Sequence, residues 1–131
     1  MAATWAAEEL EAIGAAAELE IAVRRSDGTL RRPVPIWVVR VDGQVYVRTW
    51  YRREHGWFGH VLDTRRARIR VPGLEADVTI EDTGEGGDQL RGQIDAAYRG
   101  KYGAPGAEQM VTAEAAAATL RVRPERATQA R

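Results

Sequence analysis

Cysteine is absent from the 131 residues, which excludes disulfides, thiolate metal sites and cysteine nucleophiles. Lysine is nearly absent: Lys101 stands alone among the 19 basic residues. No apolar run approaches the roughly 20 residues of a membrane span. The N-terminus has no basic region followed by an apolar core and a cleavage site, so it does not read as a secretory signal. A soluble, cytoplasmic protein is expected. Net charge is missing too, with 19 acidic and 19 basic residues. That balance argues against a general nucleic-acid or membrane-surface binder. There is no Gly-rich phosphate loop, no G-x-S-x-G elbow and no H-E-x-x-H pair. The Gly84 to Gly87 region reads as a loop.

What is present is a β-rich pattern. Leu19, Ile21 and Val23 alternate with less apolar neighbours and predict a strand. Ser26-Asp27-Gly28 is a turn signal, because Asp and Ser bond the local backbone and Gly accepts positive φ. Pro33 and Pro35 delay the next strand, since proline lacks the ladder N–H. Ile36 to Val41 and Gln44 to Thr49 then form a hairpin across Asp42-Gly43. Arg66 to Val71 alternates arginine with apolar residues, Pro72-Gly73 turns the chain, and Ala76 to Glu81 returns. Thr119 to Arg123 is a sixth strand. Helices are predicted over Ala3 to Ala17 with Thr4 as N-cap, over Trp57 to Thr64, over Asp88 to Tyr102 with Asp88 as N-cap and Gly103 as stop, and over Thr112 to Ala118. Residues 1–124 read as one domain, and 125–131 as a frayed, disordered tail. The fold class is α+β, mainly antiparallel: a six-stranded barrel with flanking helices.

Several residue groups could carry chemistry. Arg24, Arg25 and Arg32 flank the first turn, where guanidinium groups could hold a phosphate; the alternative is solvated charge. A GC-rich codon bias toward arginine and alanine lowers the weight of any one arginine. Tyr46 and Arg48 share a strand face beside Trp50 and Tyr51, a suitable lining for a planar anion or a surface cation–π pair. Trp37 reads as core and Trp57 as cleft wall. His55 and His60 flank Trp57 and could move protons with Glu54 or Asp63. Their spacing does not suit a helical metal pair, so no metal is expected. Lys101 and Tyr102 end a helix, where Lys101 suits the dipole.

The run Arg24-Arg25-Ser26-Asp27-Gly28, followed by Arg32-Pro33-Val34-Pro35-Ile36-Trp37, resembles the first hairpin of split β-barrel flavoproteins. These include the pyridoxamine-phosphate-oxidase-like and deazaflavin-dependent nitroreductase-like groups. Tyr46-Val47-Arg48-Thr49 looks like their third strand. Trp57 with Arg66-Ala67-Arg68-Ile69-Arg70-Val71 looks like their short helix and fourth strand. Glu8-Glu9-Leu10, the run Ala97 to Gly103 and the run Ala118 to Pro124 extend the likeness to a bacterial domain-of-unknown-function family, number 2255, which resembles a small branch of that superfamily.

The resemblance implies a split barrel, often a homodimer, with FMN or a deazaflavin at the barrel's edge. It assigns the cofactor phosphate to Arg24, Arg25, Ser26 and Arg32, and the ring to Arg48 and Thr49. Trp37, Tyr46, Trp50 and Trp57 are the expected substrate pocket. Asp27 inserts an acid into the basic turn, and Phe58-Gly59-His60 stands where the resembled families tend to carry further basic residues; both are departures. The leading expectation is a flavin- or deazaflavin-dependent oxidoreductase acting on a small organic molecule. One alternative is a cofactor-free acid–base enzyme using His55 or His60. Another is a non-catalytic ligand-binding module.

Overall fold

Alternation between the two faces of short strands sets the architecture. In the computed structural model, which describes residues 4–49, 56–84, 86–103 and 106–125, Leu19–Val23 forms β1. It pairs antiparallel with β5, Arg66–Val71, placing Ile21 opposite Ile69 and Glu20 opposite Arg70. Ile21 and Ile69 are fully buried. On the outer face Arg70 meets Glu20 at 3.0 Å and Arg68 meets Asp77 at 2.9 Å. The arginine row is therefore a face of paired surface charges. β6, Leu74–Asp82, returns from β5 across Pro72-Gly73, where Gly73 takes φ 85°.

The chain between β1 and the next hairpin departs from expectation in an instructive way. The single strand expected over 36–41 is two strands, β2 (Val34–Ile36) and β3 (Val39–Val41). β4, Gln44–Val47, follows across Asp42-Gly43, with Asp42 at φ 56°. The last strand, β7, is Leu120–Pro124. The order across the seven-stranded sheet is β2-β1-β5-β6-β7-β4-β3. Only Trp37 and Val38 join the two outermost strands.

A flat sheet cannot be joined that way. Ile36 and Val39 are three Cα steps apart, at most about 11 Å. Seven strands laid flat would separate the outer pair by about 29 Å. The sheet therefore curls until its two edges nearly meet, which produces the barrel of the α+β class. Pro35 sits in β2 opposite Glu20, an edge position where the missing N–H costs no ladder bond.

The helices pack around this curl. The first helix, α1, is Ala7–Ala15, shorter than the expected 3–17. Ala6, not Thr4, is its N-cap residue, and Glu9 reaches back to accept the Ala6 N–H at 2.8 Å. Trp5 lies before the helix, buried, and its indole N–H donates to the Val122 carbonyl at 3.0 Å. α2 spans Gly56–Thr64 and α3 spans Asp88–Tyr102. Gly87, at φ 94°, takes the N-cap position expected of Asp88, whose carboxylate lies in the first turn. A short 3-10 helix, Gly106–Met110, was not expected. α4, Ala113–Ala117, is capped by Thr112, whose hydroxyl accepts the Ala115 N–H at 3.1 Å.

Two apolar clusters result. The main one fills the barrel with Leu19, Ile21, Val45, Val47, Ile69, Val78, Leu120 and Val122, and is closed by Ile13, Phe58 and Val61. The second lies where α3 and the 3-10 helix cover the other face of β3 and β4. It contains Val39, Tyr46, Ile94, Tyr98, Ala107 and Met110. β4 thus contributes alternate residues to two cores. No described helix is long and apolar enough to cross a membrane. Of the expected tail, Glu125 is bonded to Asp77 and Arg66, and the remainder lies outside the described residues.

Candidate functional site

The first turn is built by its own arginines. The Arg25 N–H donates to the Thr29 carbonyl at 2.7 Å, and Gly28 turns the chain at φ 92°. Asp27 accepts the Thr29 N–H at 3.0 Å and its hydroxyl at 2.7 Å. Those bonds, the backbone one foremost, hold its carboxyl below the usual carboxylate range. Arg24 donates to the Gly28 carbonyl at 2.6 Å and pairs with Asp77 at 2.9 Å. Arg25 donates to the Thr29 hydroxyl at 3.2 Å and the Leu30 carbonyl at 3.0 Å. These guanidinium groups tie the turn to itself and to β6. With Ser26, His60 and Asp63 they border a hollow of about 240 Å³. Arg32 is exposed.

A larger hollow of about 620 Å³ opens elsewhere, where β2 leads into Trp37. Val34, Pro35 and Ile36 form one wall, and Trp57 of α2 lines it as well. Arg48 and Thr49, just beyond β4, line it together with Gly106 and Met110 of the 3-10 helix. This size suits a drug-sized organic guest.

Arg48 is the most unusual residue at this site. It is 1% exposed, whereas the other buried residues among those described are almost all apolar. Its Nε donates to the Thr119 hydroxyl at 2.8 Å, and that hydroxyl donates onward to the Ala116 carbonyl at 2.7 Å. Its Nη1 donates to Asp95 at 2.6 Å and to the Met110 carbonyl at 2.7 Å. The guanidinium lies 5.7 Å from the centre of the Tyr98 ring. Burial pushes the Tyr98 phenol far up, so it stays neutral. Nη2 is buried and has no hydrogen-bond partner among the described residues. A buried charged donor left without an acceptor is costly.

Trp37 is held from behind. Its ring stacks on Tyr102 at 4.0 Å and 2°. The Tyr102 hydroxyl accepts the Val38 N–H at 3.1 Å and donates to the Ala17 carbonyl at 2.8 Å. Lys101 donates to the Val38 carbonyl at 2.8 Å. Burial raises the Tyr102 phenol and lowers the Lys101 amine. A methyl group at Gly106 would meet the edge of the Trp37 ring at 3.2 Å, so that glycine keeps the ring's place clear.

The residues expected to form one site therefore fall into two. Arg48, Thr49, Trp37 and Trp57 line the larger hollow. Arg24, Arg25, Ser26 and His60 line the smaller one. α2 connects them, with Trp57 facing one and His60 the other. Tyr46, expected in the pocket, is buried in the second core because α3 covers that face of β4, and its hydroxyl accepts from Arg121 at 3.1 Å. Trp50 and His55 lie outside the described residues. Among the described residues no three metal-ligating side chains cluster. Sequence reasoning missed Asp95 and Thr119, which hold Arg48. The one available signal was an arginine on the same strand face as Tyr46, a face that needs a carboxylate once it is covered.

The family model described as "Uncharacterized protein conserved in bacteria (DUF2255)" matches residues 9–122. The chain belongs to this family. No curated protein matches the DUF2255 chain significantly in sequence. Among solved structures it is similar to an F420 reductase, with 18% identity and a TM-score of 0.58, over 87% of this chain and 90% of that one. It is similar to a NimC/NimA family protein from Clostridium acetobutylicum, with 15% identity and a TM-score of 0.57, over 87% and 78% of the two chains. It also resembles a heme binding protein from Mycobacterium smegmatis, with 16% identity and a TM-score of 0.57, over 88% of this chain and 49% of that one. At these identities the likeness establishes the fold: the DUF2255 chain is a split β-barrel with flanking helices.

Proposed function

We propose that this protein binds a flat, conjugated molecule of the flavin or deazaflavin type in the larger hollow and carries out a redox step on a small organic substrate. The observation that carries the reading is the hollow itself, where Trp37, Trp57 and the buried Arg48 line one concavity at the end of β4. Apolar walls with a few polar groups are what planar ligands need. A neighbour of the same fold is named for F420 reduction.

The residues fit the ring part of such a group. The indoles would bury its faces and exclude water, and Arg48 and Thr49 would meet its polar edge. Arg24 and Arg25 fit the phosphate part less well, because each is already bonded within its own turn and borders a different hollow. Hydride chemistry would come from the bound group, and the chain would supply position and charge. The test is a visible absorption spectrum of native protein, followed by calorimetry with FMN and with a deazaflavin. Absence of both absorbance and binding rejects the reading.

A cofactor-free acid–base reaction is the second reading. It is favoured by His60 lying beside Asp63, Arg24 and Arg25 in the smaller hollow. Unchanged turnover in His60→Ala and His55→Ala would remove it. Affinity without turnover would leave a ligand-binding module, and sedimentation analysis would test a homodimer.

A further inference from the structure

We propose that Lys101 is a nucleophilic amine, and that the hollow beside it admits a small aldehyde or ketone that condenses on its Nζ. The site is separate from the larger hollow and does not depend on the ligand proposed there. Between α1, β3 and α3 lies an open hollow of about 700 Å³. Gly14 and Ala15 of α1, Val39 of β3, and Ala97, Gly100 and Lys101 of α3 border it. Lys101 is the only lysine among the 19 basic residues. Arginine keeps its charge at every working pH, whereas lysine can give up its proton and become a nucleophile.

Two backbone carbonyls set the position of Nζ. It donates to the Val38 carbonyl at 2.8 Å and to the Ile13 carbonyl at 3.4 Å. Those carbonyls belong to the peptides that lead into Val39 and Gly14, and both of these residues line the hollow. The amine is therefore held where the α1 and β3 walls meet. An ammonium has three N–H groups and a neutral amine two. Two suffice for the two carbonyls, and the lone pair is then left over. The third proton has no hydrogen-bond acceptor, and Nζ has no carboxylate partner, among the described residues. The Tyr102 ring lies 5.3 Å from Nζ, a modest attraction for a cation. Glu11 and Arg40 also line the hollow; they are opposite in sign and exposed, where water and salt screen them. Burial lowers the amine. In the reaction Nζ attacks the carbonyl carbon and a carbon–nitrogen double bond forms. The carbonyl oxygen leaves as water, taking the two amine protons.

The test treats the full chain with propanal and cyanoborohydride, which reduces an imine to a stable secondary amine. Mass spectrometry of the peptides reads the propyl group on Lys101. The same chain unfolded in guanidinium chloride, at the same neutral pH, is the reference. Lys101 is expected to be labelled several-fold faster in the folded chain, as an amine activated by its surroundings implies. Gly100→Leu puts a side chain into open space on the hollow, and is expected to remove that advantage. Labelling of Lys101 that is equal or slower in the folded chain overturns the inference and leaves a lysine that only binds carbonyls. So does undiminished labelling in folded Gly100→Leu, which would place the reaction outside the hollow. Flavin binding is read separately and moves with neither result.

Discussion

Arg48→Met isolates the buried node on which the site depends. Methionine keeps an unbranched stem but removes the charge and every donor. Asp95 then loses its partner at 2.6 Å, and the Met110 carbonyl loses the donor at 2.7 Å. Breaking a buried ion pair from one side costs about 3–5 kcal/mol. Asp95 retains 16% side-chain exposure and still has Arg91 nearby, so the low end applies, about 3 kcal/mol. A chain of this size holds roughly 7–20 kcal/mol in total. The variant should therefore fold at 25 °C, with Tm lowered by roughly 10 °C. Urea unfolding followed by circular dichroism reads the cost directly. Asp95→Asn and the double variant complete a cycle, and the coupling between the two sites should be about 2 kcal/mol. A cost below about 1 kcal/mol, or singles that add to within about 0.5 kcal/mol, would refute the claim that Arg48 and Asp95 form a desolvated pair.

Three further outcomes follow from neighbouring contacts. Tyr102→Phe strands the Val38 N–H and the Ala17 carbonyl, and should cost about 1–2 kcal/mol while leaving the near-UV dichroism of the Trp37 stack in place. A lost near-UV signal would mean that the hydroxyl, not the ring, positions Trp37. Asp77 has its carboxyl lowered, chiefly by the hydrogen bond from Arg68. Its contribution is present above the unfolded value and is lost as pH falls through the lower folded value, so Asp77→Asn should flatten the acid limb below pH 3.8. An unchanged acid limb contradicts this. Lys101 is lowered by burial, so the unfolded chain holds more protons between the folded value and 10.5, and stability rises with pH there. Lys101→Met should abolish that rise; Tyr102, raised by burial, opposes it above pH 10.0.

Local physics made much of the fold legible. The alternation of Leu19, Ile21 and Val23, the Asp42-Gly43 hairpin and the span of α3 all depend on neighbours within a few residues. The β2–β3 break did not, because Ile36 to Val39 is apolar throughout and carries no internal mark of a strand that changes edges. The 3-10 helix likewise has no periodic signal in five residues. Trp37, which reads as core by residue type and as pocket wall by resemblance, is shared between a stack and a hollow, a division set by Tyr102 far along the chain.

By itself, the order of residues determined which short runs become strands, which turns join them, and that Arg48 shares a face with Tyr46. Those properties follow from side-chain alternation and backbone preference, which act over a few residues. Only the closed sheet decided that this face is covered, that Arg48 meets Asp95 and Thr119, and that the arginines of the first turn lie apart from it. Burial and desolvation are properties of the assembled structure, and they make one arginine among many the charged residue that cannot be left without a partner.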